Sequence, residues 1–95
     1  MAEEKATITA QNTFTDGLII NNQPFTVSIG GTFSATVTVQ RKKSDEADAD
    51  YRDVKSYTAP IEENGYGVGK WVYRVGVKTG DFTSGSIDIS INDGV

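Results

Sequence analysis

The chain contains no cysteine and no histidine. The first absence removes disulfide staples, thiolate nucleophiles and cysteine-based metal sites, and the second removes the imidazole base and the commonest zinc ligand. Long apolar runs are also missing. Gly17-Leu18-Ile19-Ile20 is among the longest, far short of the roughly 20 residues that cross a bilayer as a helix. The start, Met1-Ala2-Glu3-Glu4-Lys5, lacks the charged-then-apolar pattern of a signal peptide. Basic residues are outnumbered, 9 against 13 acidic, for a net charge of −4, and no basic stripe with interleaved aromatics is present. Such a surface repels phosphate backbones. These absences predict a non-enzymatic domain with no catalytic residues, no required metal or cofactor, and no nucleic-acid or membrane partner. They place its use in a soluble compartment, and the lack of disulfides suits a reducing one.

What is present fits one domain spanning residues 1–95. With 37% hydrophobic residues the chain can build an ordinary core but not a generous one, so packing against a partner would relieve marginal stability. Nearly every patterned stretch alternates with period two, the mark of half-buried strands. Ala6 to Ala10 reads as a short strand, and Gly17 to Ile20 as another after an Asp16-Gly17 turn. Asn21-Asn22-Gln23-Pro24 reads as a turn, after which Phe25, Val27 and Ile29 face one way. Gly30-Gly31 reads as a hairpin. Phe33, Ala35, Val37 and Val39 are then expected inward, and Ser34, Thr36, Thr38 and Gln40 outward. Arg41 to Asp50 reads as a polar loop, Tyr51 to Tyr57 as a strand, and Ile61 to Gly69 as a glycine-punctuated connection. Trp71, Tyr73, Val75 and Val77 share a face, Lys78 to Gly85 turns around Phe82, and Ile87, Ile89 and Ile91 close the fold. About seven short strands with regular turn signals predict an all-β sandwich or small barrel, with Val37, Val39, Trp71, Val75, Ile87 and Ile89 inside.

Each chemically suggestive motif has a plainer reading. Asp45, Glu46, Asp48 and Asp50 offer alternate oxygens to a hard cation, yet the run lacks the turn glycine and distal glutamate of an EF-hand, which leaves a solvated loop. Glu62-Glu63, and Asp53 with Asp81, are carboxylates in loop-like settings with nothing in the sequence to mark them for acid–base chemistry. The many Ser and Thr residues have no histidine to activate them. Trp71 and Tyr73 would suit sugar stacking, but Val75 and Val77 on the same face favour core. Tyr66 and Phe82 sit in glycine-rich stretches, where an aromatic either lids the core or is offered to a partner. They are the candidate interface residues.

Three segments share wording with one family. Phe33-Ser34-Ala35-Thr36-Val37-Thr38-Val39-Gln40-Arg41, Val54-Lys55-Ser56-Tyr57-Thr58-Ala59-Pro60, and the stretch from Tyr73-Arg74-Val75-Gly76-Val77-Lys78 through Thr79-Gly80-Asp81-Phe82-Thr83-Ser84-Gly85 resemble small virion proteins of tailed bacteriophages. The likeness spans roughly two-thirds of the chain. It departs at Ser44 to Tyr51, which holds no glycine and ends in tyrosine where such sequences often carry tryptophan, implying a reshaped loop. The resemblance implies an Ig-like antiparallel β-sandwich that decorates or cements a capsid shell in many copies. The implied partner is the major capsid protein or another virion protein, with self-association open. The implied location is the capsid surface of the virion, after synthesis in the host cytoplasm. A neck or tail component, and a carbohydrate-binding module using Tyr66, Phe82 or Trp71, are the alternatives.

Overall fold

The computed structural model describes residues 2–93. Strands β1 (Glu3–Ile8), β2 (Thr13–Phe14), β3 (Leu18–Ala35), β4 (Val37–Lys43), β5 (Arg52–Tyr57), β6 (Ile61–Val77) and β7 (Phe82–Asn92) form one antiparallel sheet. Its order is β1-β7-β3-β6-β4-β5, with β2 paired to the end of β6. A 3-10 turn, Asp48–Asp50, interrupts the connection from β4 to β5. The chain is thus all-β and sandwich-like, as the alternation predicts.

Two long strands let one sheet wrap one core. β3 pairs with β6 over Leu18 to Ile29 and with β7 over Thr26 to Ala35. β6 in turn pairs with β4 through Trp71 to Gly76. Each long strand therefore serves two neighbourhoods of the sheet, and the molecule is only 17 Å across its thin axis, the depth of two layers spaced by about 10 Å. Ile8, Ile20, Val27, Ile29, Val37, Val75, Val77, Ile87 and Ile91 are each almost wholly buried in a common cluster, bringing side chains from β1, β3, β4, β6 and β7 together. Burying a Val or Ile side chain of this kind stabilises by about 1.5–3 kcal/mol.

The structure corrects several boundaries. Gly30-Gly31 is not a hairpin: β3 runs straight through it, and Gly31, at φ 101°, lies against the Ser86 backbone of β7 where no side chain would fit. Asn21 to Pro24 is not a turn but a slip of one residue in the β3–β6 register, with Asn22 at φ 51°. Ile61 to Gly69 is not a connection; it is the first half of β6. Gly65 and Gly67 fall on alternate, inward positions because core side chains occupy that space. A Cβ on Gly65 would meet the Phe25 ring, and one on Gly67 would come 2.6 Å from Ile20 Cγ2. Arg41 to Lys43 belong to β4, not to the loop.

Most of the core assignments hold, and five positions depart from them. Val37, Val39, Val75, Ile87 and Ile89 are buried, whereas Trp71 is only partly so. Arg41 covers one face of the Trp71 indole at 3.9 Å, and its Nε1 donates to the Val68 carbonyl at 2.7 Å. Phe33 and Ala35 are likewise only partly buried. Thr38 and Gln40, expected outward, are buried as well. The reason is a polar layer over the outer face of β4: Thr38 meets the Ser56 hydroxyl at 3.2 Å, and Gln40 lies between Asp53 and Arg74.

Candidate interaction face

Period two along β6 sorts its residues into two sets. Gly65, Gly67, Trp71, Tyr73 and Val75 point towards the core, while Tyr66, Val68, Lys70, Val72 and Arg74 share the outer face. The outer set contains two of the four large hydrophobics that remain exposed among the described residues, Tyr66 at 59% and Val68 at 74%. A third, Ile19 at 54%, is the cross-strand partner of Val72 on β3. Exposed Val54 lies apart from them on β5.

The corner holding Tyr66 and Val68 is fixed by Asn22. The Tyr66 hydroxyl donates to the Asn22 carbonyl at 2.9 Å, and the Gly69 N–H donates to Asn22 Oδ1 at 2.7 Å. Asn22 reaches both because it adopts a left-handed conformation, which asparagine tolerates better than most residues, and Gly69 matches it at φ 90°. An exposed aromatic is thus held in place before any partner arrives, which reduces the ordering cost of contact.

Phe82 sits elsewhere. It opens β7 opposite Ala35, at the far end of β3 from Pro24, the residue that faces Tyr66. It is partly buried and packs against the core. The structure does not bring the two candidate interface residues together.

At the other end of the same outer face, Arg74 lies between two aromatic rings and a polar network. Its guanidinium carbon is 4.0 Å from the ring centres of both Phe14 and Tyr51, and its Nε donates to Gln40 Oε1 at 2.9 Å. Burial pulls the Arg74 pKa down from its ordinary value. Gln40 also donates to Asp53 at 2.9 Å, and Lys78 donates to the other Asp53 oxygen at 2.6 Å. Sequence reasoning missed this arrangement, because Phe14, Tyr51 and Arg74 are joined only by the pairing of β2 with β6 and the fold of the β4–β5 loop.

The acidic loop is bound to local cations and amides. Glu46 accepts from the Lys43 N–H at 2.7 Å and pairs with Arg52, Asp48 pairs with Lys42 at 2.9 Å, and Asp50 accepts from the Ala47 N–H at 3.2 Å. Among the described residues no group of three or more acidic side chains is arranged to hold a metal ion. The Lys43 N–H, with Arg52, holds Glu46 below its ordinary pKa; Lys42 does the same for Asp48, and Lys78 with Gln40 for Asp53. These carboxylates are thereby kept ionised, the opposite of what a general acid needs. Comparisons with protein-family models, with curated proteins and with solved structures returned no match to this chain.

Proposed function

We propose that this domain is a non-enzymatic structural binding module that attaches in many copies to a capsid shell, a decoration or cement protein of a tailed bacteriophage. The observation that carries the binding reading is the outer face of β6, where Tyr66, Val68 and Ile19 stand exposed on a rigid strand while the core beneath is already filled. The phage context rests on the sequence resemblance alone. Many modest contacts on a symmetric lattice hold firmly when neighbouring copies also touch, so a small face suffices.

The partner in this reading is the major capsid protein or another virion protein. A carbohydrate-binding role is less well supported, because Arg41 covers a face of the Trp71 indole and Phe82 packs against the core. Co-sedimentation with purified shells lacking the protein tests the reading. Immunogold labelling of whole particles separates a capsid position from a neck or tail position, and binding to neither shells nor tails would reject it.

A further inference from the structure

The Arg74 environment has features that its packing does not use. Arg74, Phe14, Tyr51, Asp16 and Asp48 are among the residues that line an open cleft of about 340 Å³. Stacking against two rings and the Nε bond to Gln40 fix the guanidinium plane. Its two terminal nitrogens make no hydrogen bond or ion pair with any described residue. No buried side-chain nitrogen or oxygen lacks a partner among those residues, so the terminal nitrogens are solvent-accessible on a residue that lines the cleft. An arginine fork held in one plane, with both outer donors free, matches the two oxygens of a carboxylate.

We propose that this cleft is a binding site for a single carboxylate contributed by a partner protein, taken bidentately by Arg74. The lining sets the charge it accepts. Asp48 is offset by Lys42 at 2.9 Å, but exposed Asp16 has no such cation among the described residues and disfavours a second negative charge. A monocarboxylate is therefore favoured over inorganic phosphate. Because Arg74 and Tyr66 share the outer face of β6, a partner covering Tyr66, Val68 and Ile19 would bring its carboxylate to the end of the same strand. This deepens the binding-module reading, yet the test below uses small molecules, so failure to find the shell partner would not affect it.

The probes are N-acetyl-aspartic acid amide for a side-chain carboxylate, N-acetylglycine for a chain terminus, neutral N-acetyl-asparagine amide, and inorganic phosphate. Each is titrated into isotope-labelled protein while the Arg74 Nε–Hε resonance is followed. The expected result is a saturable shift with at least one carboxylate, none with the neutral amide, and weaker binding of phosphate. Whichever carboxylate binds tighter identifies the source. Arg74→Lys keeps the charge but not the fork and should weaken binding by about tenfold, followed on the Tyr51 ring. Asp16→Asn leaves the clamp intact and should tighten carboxylate binding by about threefold. Phosphate binding more tightly than either carboxylate, an equal response to the neutral amide, or no saturable shift would overturn the proposal. So would unchanged affinity in folded Arg74→Lys. Should Arg74→Lys not fold, Asp16→Asn decides, and unchanged affinity there overturns the proposal.

Discussion

The Tyr66 hydroxyl and the Asn22 carbonyl meet at 2.9 Å although the two residues lie 44 positions apart in sequence. The contact spans the point where the β3–β6 register slips, and it holds an exposed ring on a defined bearing. Tyr66→Phe removes the tether and keeps the ring. It should lower stability by about 0.5–1 kcal/mol, the low end for a hydrogen bond at an accessible site. Chemical denaturation measures this, and an unchanged midpoint would mean that the tether is not formed in solution.

Gly76 tests the junction that positions Phe14 below Arg74. A Cβ at Gly76 would collide with the Thr13 carbonyl and stand 2.5 Å from Phe14 Cα, both backbone atoms with little freedom to yield. Gly76→Ala should cost about 1–3 kcal/mol and push β2 from the edge of β6. The Thr15 N–H, which donates to the Val75 carbonyl at 2.8 Å, should lose its protection from hydrogen exchange. Retained protection at Thr15 would show that β2 is not anchored as described.

Much of this fold is legible in the sequence. Phe25, Val27 and Ile29, Tyr73, Val75 and Val77, and Ile87, Ile89 and Ile91 alternate cleanly, and all are buried. The strand ends were less legible because glycine reads locally as a turn whatever the tertiary setting. Gly65, Gly67 and Gly69 punctuate a strand: their own alternation with Asn64, Tyr66 and Val68 carries the period-two signal, with glycine where another strand would place a large side chain. Gly30-Gly31 offers no such cue, since its extended path depends on the approach of β7. Of the interface candidates, Tyr66 was visible as an aromatic among glycines. The clamp on Arg74 was not, because no local pattern links Phe14, Tyr51 and Arg74.

Acid should weaken the fold through specific carboxylates. Glu46 is lowered by the Lys43 N–H and then Arg52, Asp48 by Lys42, and Asp53 by Lys78 and then Gln40. The folded form binds these protons less readily than the unfolded chain. Their contribution is therefore complete above the ordinary values, 4.5 for Glu and 3.8 for Asp, and is lost as pH falls through the lower folded values. Lys42, Lys55 and Lys78 are raised by Asp48, Glu63 and Asp53 respectively, so their share is complete below 10.5 and is lost as pH rises through the folded values. The melting temperature should be flat between about pH 5 and 9 and fall on either side, less steeply in high salt. Asp53→Asn should reduce the acid-side drop. An identical acid profile in that variant would contradict the role given to Asp53.

The most direct test of the binding account replaces the exposed corner and leaves the core untouched. Tyr66→Ala with Val68→Ser removes the two apolar side chains that stand furthest into solvent on β6. Binding to purified capsid shells, measured by co-sedimentation beside a melting curve, should fall by at least about tenfold in a protein that still melts cooperatively, since exposed aromatic anchors at interfaces are worth about 2 kcal/mol or more. A well-folded double variant that decorates shells as fully as the original chain would contradict the account.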